Sequence, residues 1–203
     1  MKKVIVILST WTFFCIGLAL FQSCATCGKD GPYNFRLVSI AGEAKRIDEI
    51  KLVGSPQSEY NVKPYLSSSK GTRYDSIGID ILNSVESVAF TTKGSFFNSA
   101  FACDPAIEFP RLKDINITSS EDYANIYPAG TDLKEIMSVR EGYQVQGMPI
   151  LTYLPYAGLR HGNLFFTFDV PPATSKVHNL TIKYTLLDGK EFEVFIQGLT
   201  ISK

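Results

Sequence analysis

The sequence predicts a mainly β protein, an Ig-like β-sandwich in general character with one or two short helices. Two observations carry this. From Tyr33 onward apolar and polar residues alternate in short runs, and clusters of Gly, Pro, Asn, Asp and Ser separate the runs. No heptads or internal repeats appear. In chain order, the expected strands are Phe35 to Ile40, Tyr74 to Leu82 with Ile77, Ile79 and Ile81 on one face, Ser84 to Phe90, Phe96 to Cys103 and Leu112 to Ser119. Leu164, Phe166, Phe168 and Val170 form another one-sided strand, ended by Pro171-Pro172. Two segments depart from the pattern. Glu43 to Val53 has Ala44, Ile47 and Ile50 at helical spacing, but Lys51, Leu52 and Val53 suit a strand equally well. Thr131 to Met137 reads as a short capping helix, with Asp132 in its first turn and Leu133, Ile136 and Met137 on one side.

The last hairpin is specific enough to predict its register. Leu180, Ile182, Tyr184 and Leu186 alternate with polar residues, as do Phe192, Val194 and Ile196 after Leu187-Asp188-Gly189-Lys190. A two-residue loop would send the two apolar sets to opposite faces. A three-residue loop with Gly189 in the left-handed conformation pairs Tyr184 with Phe192, Ile182 with Val194 and Leu180 with Ile196. It also sets Lys183 opposite Glu193, a favourable cross-strand pair.

Residues 1–23 read as a secretory leader: Lys2 and Lys3, then an apolar run from Val4 to Phe21. This segment holds the only Trp, two of the 20 basic residues and none of the 20 acidic ones, so the remaining chain is Trp-free and carries 18 basic against 20 acidic residues. Uncleaved, the run is just long enough for a signal anchor. Phe21-Gln22-Ser23-Cys24, however, resembles the lipobox of bacterial lipoproteins in its looser Bacteroidetes form, which implies diacylation of Cys24. Residues 24–32 then form a lipidated tether and 33–203 a single sandwich domain. With Cys15 in the leader, Cys27 and Cys103 remain. Either they pair, stabilising by about 4 kcal/mol on the chain-entropy model, or Cys27 stays in the tether and Cys103 is a buried thiol.

A wider resemblance lies in Ala102-Cys103-Asp104, the run Ile115 to Ser119, Glu121-Asp122-Tyr123, Tyr127 to Leu133, Val170-Pro171-Pro172 and Leu187-Asp188-Gly189. These are similar to a family of Bacteroidetes lipoproteins without an assigned activity, a domain of unknown function. The resemblance covers the leader and Phe96 to the end. It implies the cell envelope and a β-rich fold, and carries over no catalytic residue. Surface-exposed members of the wider group carry an acidic run after the lipidated Cys, where this chain has only Lys29-Asp30. Both the cell surface and the periplasmic face of the outer membrane therefore stay open.

Composition excludes several functions. Scattered Lys and Arg give no footprint for nucleic acid. His161 and His178 are the only imidazoles, and no Gly-x-Ser-x-Gly elbow or His-Glu-x-x-His helix accompanies them. His178 shares a strand face with Leu180 and Ile182, which reads as packing. Glu191 and Glu193 sit about 7 Å apart on one face, near a glycosidase spacing, but the face is solvated and Lys183 lies opposite. No run alternates Asp and Asn as a calcium loop requires, and the sequons at Asn116 and Asn179 read as plain strand positions. The expectation is a non-enzyme without metal or cofactor, binding or structural in role, with the membrane as one partner through Cys24. The segment from Tyr143 to His161 offers Tyr143, Tyr153, Tyr156, Arg160 and His161 for a glycan or protein ligand. Against this, Met148, Ile150, Leu151 and Leu154 suit a loop packed over the sandwich with tyrosines at its rim. A second expectation is a fimbria-like subunit or adhesin assembled by donor-strand exchange.

Overall fold

The computed structural model describes residues 33–52, 58–67, 71–89, 108–159 and 162–203. The expected strand Phe96 to Cys103 lies outside them, as do Cys24, Cys27, Cys103, Arg160 and His161. The described residues divide between two compact units. One comprises Arg36–Glu86 with Phe109–Lys203. Of the other, residues 33–35, 87–89 and 108 are described, and there the Phe35 N–H donates to the Glu108 carbonyl at 2.9 Å.

The architecture is mainly β. Ten strands are described: β1 (Tyr33–Leu52), β2 (Ser58–Pro64), β3 (Thr72–Arg73), β4 (Ile77–Ala89), β5 (Leu112–Ser119), β6 (Met137–Glu141), β7 (Met148–Pro149), β8 (Gly162–Phe168), β9 (Lys176–Leu186) and β10 (Glu191–Ser202). They form a six-stranded sheet in the order β2-β1-β4-β8-β6-β7 and a four-stranded sheet in the order β3-β10-β9-β5. Among the described residues the single α-helical turn is Ile150–Tyr153.

Alternation places the core between the sheets, as expected of a sandwich. Ile77, Ile79 and Ile81 on β4, Ile115 and Ile117 on β5, and Leu180, Ile182 and Tyr184 on β9 are all buried. Each such side chain contributes about 1.5–3 kcal/mol of transfer free energy. The approach is close enough to require Gly42 on β1, where a Cβ would lie 2.7 Å from Ile81 Cδ1 and 2.9 Å from Ile196 Cδ1. Tyr184 is fully buried with its hydroxyl unpartnered among the described residues. Tyr184→Phe should therefore raise the urea midpoint, by about 1 kcal/mol in unfolding free energy, because no hydrogen bond is lost with the desolvated hydroxyl.

The hairpin has the expected register: Tyr184 faces Phe192, Ile182 faces Val194, Leu180 faces Ile196, and Lys183 faces Glu193. Gly189 has φ +84°, and Asp188 accepts the Lys190 N–H at 3.1 Å. The ion pair forms on the diagonal, Lys183 Nζ to Glu191 at 2.8 Å.

Elsewhere the structure decides between open alternatives or corrects the sequence reading. Glu43 to Val53 is strand as far as Leu52, because β2 pairs with it from Lys45 to Leu52 around a bulge between Ile47 and Glu49. Thr131 to Met137 contains one 3-10 turn, Lys134–Ile136, and Met137 already begins β6. The segment is pinned to β5: Leu133 N–H donates to Ile117 O at 2.7 Å, and Asp132 Oδ1 accepts the Ile117 N–H at 3.1 Å. Tyr74–Ser76 is likewise a 3-10 turn, with the strand starting at Ile77.

The largest correction concerns β8, which is buried on both faces. Leu164, Phe166 and Phe168 face the core, but Phe165 and Thr167 are buried too. The connection between β6 and β7 crosses the outer face of the six-stranded sheet and bonds to β2. Tyr60 N–H donates to Tyr143 O at 2.7 Å, and Val145 N–H to Ser58 O at 2.9 Å. Under this roof Phe165 meets Tyr143 edge-on at 5.3 Å and Tyr60 at 6.2 Å. Arg140 completes the cluster, its guanidinium 5.0 Å from the Tyr60 ring centroid and its Nη2 donating to Thr167 Oγ1 at 2.9 Å.

Candidate functional site

The candidate site lies where two core rows end in polar residues. On β4 the inward row Ile77, Ile79, Ile81 continues to Asn83, and on β6 the row Met137, Val139 continues to Glu141. Both strands run antiparallel to β8, so both rows end at the same edge of the sandwich, where Asn83 pairs with Gly162 and Glu141 with Leu164. A cleft of about 120 Å³ opens there, lined by Asn83, Glu141, Tyr153, Leu159, Asn163 and neighbouring backbone.

Asn83 is 4% exposed, and its Oδ1 has no hydrogen-bond partner among the described residues. A buried amide carbonyl in that state carries a desolvation penalty of about 1–3 kcal/mol, as the Tyr184 hydroxyl does in the core. Glu141 receives the Tyr153 hydroxyl at 3.4 Å. On the opposite face of the sheet, the one that carries Phe165, lies another carboxylate, Asp80, which is 8% exposed. It accepts Asn163 Nδ2 at 2.6 Å and the Tyr143 hydroxyl at 2.5 Å. Burial, then the bond to Asp80 and the nearby Glu43, push the Tyr143 hydroxyl well above its ordinary pKa, so it remains the proton donor. A second hollow of about 200 Å³ sits beyond Asp80, lined by Ala41, Gly42, Glu43 and Leu82.

The aromatic segment is thereby divided. Tyr143 is half-buried and serves the roof over Phe165 and the bond to Asp80. Tyr153 is buried and forms the cleft wall, while Tyr156 is 81% exposed. Ile150 packs fully, whereas Met148 and Leu151 stay exposed. Asn83, Glu141, Asp80 and Asn163 were not singled out in the sequence. For Asn83 and Glu141 a signal existed: each is a polar residue in phase with a buried apolar row.

His178 is fully buried, as its strand phase implied, but it has a partner. Its Nδ1 lies 2.8 Å from Ser119 Oγ, itself 4% exposed, and the Tyr123 ring sits 5.7 Å away. Tyr123 also stacks on Phe168 at 5.1 Å and donates to the Val170 carbonyl at 2.7 Å. This serine–histidine pair has packed side chains where a substrate would have to enter. It ties β5 to β9 within the core. Glu191 and Glu193 sit on the solvated face with Lys183, as expected.

Among the described residues no helix is long and apolar enough to cross a membrane, and no three His, Cys, Asp or Glu side chains are grouped to hold a metal ion. Comparison of the chain with protein-family models, curated proteins and solved structures finds no match.

Proposed function

We propose that the protein is a non-catalytic binding module of the bacterial envelope, lipid-anchored through Cys24, that takes a small ligand in the cleft between Asn83, Glu141 and Tyr153. The observation that supports this most directly is the cleft itself, about 120 Å³ at the strand ends, walled by the buried Tyr153 and Leu159 and edged by the exposed Glu141. The cleft is built on strand ends and held by hydrogen bonds between side chains, which suits a preformed site. The described imidazole is committed to packing, which favours binding over nucleophilic chemistry.

Two measurements test the reading. Cys24→Ala should release the protein from the membrane fraction and abolish incorporation of labelled palmitate; retention of either overturns the anchor. For the cleft, a defined panel of sugars, amino acids, short peptides and amines is titrated into the full chain while the amide signals of Glu141, Gly142 and Leu159 are followed. Saturable shifts from one class, reduced in Glu141→Gln, are the expected result. If no compound moves these signals, the cleft is not a ligand site and the structural role stands instead.

A further inference from the structure

We infer that the free edge of β10 docks a second copy of this chain: two β10 strands pair antiparallel about an axis at Val194 and join the four-stranded sheets of two protomers. β10 has 12 residues, but β3 pairs only with its last two, Ile201 and Ser202. The Tyr65 hydroxyl takes the N–H and the carbonyl of Thr200, at 2.9 and 3.3 Å. From Glu191 to Gln197 no described group bonds to the side of β10 that faces away from β9. The opposing sheet leaves the same side open. β2 pairs with β1 only from Lys45 onward, and Gly42 of β1 lies against Val194 and Ile196.

An uncovered edge presents backbone groups at alternate residues. Counted from the closing bond of the hairpin, Leu186 N–H to Lys190 O at 2.9 Å, the pairs Tyr184–Phe192, Ile182–Val194 and Leu180–Ile196 exchange bonds within the sheet. The N–H and C=O of Glu191, Glu193, Phe195 and Gln197 therefore point outward. Apolar side chains at this edge are incompletely covered. Phe192 and Val194 face the core but are only part-buried, and Phe195 on the outer face is 63% exposed.

The edge is complementary to itself in one register. An axis at Glu193 would oppose that carboxylate to its own copy, and an axis at Phe195 would set Phe192 against a glycine, Gly198. With the axis at Val194, Glu193 faces the partner's Phe195, Glu191 faces the partner's Gln197, Phe192 faces the partner's Ile196, and Val194 meets its own copy. The outward residues then exchange about eight backbone bonds, and the apolar row runs on from one sheet into the next. No charge directly faces a like charge. Lys183 holds Glu191 at 2.8 Å and stands opposite Glu193, which offsets the acidity of the edge. Of the devices that keep an edge single, this stretch has no Pro, no Lys and, up to Ile196, no bulge. A two-fold axis uses the edge up, so pairing stops at two copies.

Sedimentation velocity on the full chain in mild detergent, over about a hundredfold range of concentration, should show monomer passing to dimer and nothing larger. Phe195 is exposed, so its substitutions spare the fold. Phe195→Glu sets a carboxylate opposite the partner's Glu193 on both sides of the axis and should weaken the dimer at least tenfold. Phe195→Lys should hold or tighten it, and adding Glu193→Gln to Phe195→Glu should recover most of the loss. Val194→Cys should cross-link to dimer under mild oxidation, whereas Glu135→Cys, on β10-remote surface, should not. Monomer at every concentration overturns the inference. A dimer that Phe195→Glu leaves unchanged comes from shared micelles or another face, and overturns it equally. Equal weakening by Phe195→Glu and Phe195→Lys overturns the paired edge in favour of a contact through the Phe195 ring.

Discussion

Gly78→Ala is expected to lower the unfolding free energy by about 3 kcal/mol, the upper end of the usual overpacking range. The reason is geometric. A Cβ at position 78 would lie 1.9 Å from Phe165 Cζ and 2.5 Å from both ring Cε atoms. The ring cannot yield easily, because Phe165 is fully buried between Tyr60 and Tyr143 under the connection that spans from β6 to β2. Relief therefore requires the roof to shift, and the roof is held by Tyr60 N–H on Tyr143 O and Val145 N–H on Ser58 O. The paired test is Gly78→Ala with Phe165→Leu. Phe165→Leu alone destabilises by leaving space, and the double variant should be less damaged than the sum of the two, since the new methyl fills what the ring vacates. Urea denaturation of the four proteins measures the coupling. Strict additivity, or a loss below about 1 kcal/mol for Gly78→Ala, would mean that Phe165 is not confined as described.

The second large effect is loss of stability in mild acid through His178. Its imidazole is fully buried, and burial, with a smaller push from Lys176, lowers its pKa below the ordinary value, against the pull of Glu121. Ser119, Tyr123 and the ion pair between Lys176 and Glu121, at 3.3 Å, are the polar and charged groups around it. In the unfolded chain the same imidazole titrates near 6.5. Between that pH and the lower folded value, the unfolded state binds a proton that the folded state refuses. Unfolding free energy accordingly falls as pH falls below about 6.5, by up to about 1.4 kcal/mol per pH unit, and is undiminished above it. Urea midpoints of the wild type and His178→Gln from pH 7.5 to 5.0 isolate the contribution from that of His161 and the carboxylates. The wild type should lose stability more steeply; parallel curves would show that His178 is protonated without penalty.

Both effects arise from side chains whose strand phase was readable but whose surroundings were not. Period-2 alternation was enough to place Ile77, Ile79 and Ile81 in the core, to define Leu112–Ser119, and to set the register of β9 against β10. The reason is that one buried face admits only one register, and a loop with Gly189 at positive φ admits only one turn. The same alternation put His178 inside but was silent about Ser119, 59 positions away.

Tertiary structure decided the rest. Whether Glu43 to Leu52 is helix or strand depended on β2 being available to pair with it. Phe165 looked like an outward residue until the β6–β7 connection covered it. The cleft, too, draws Asn83, Glu141, Tyr153 and Asn163 from four separate segments, and nothing local to any of them records the others. Local pattern thus determined which residues turn inward and how neighbouring strands align, because pleat and turn act over a few residues. What each inward polar group meets was fixed only when the sheets packed, because burial and hydrogen bonding are properties of the assembled core.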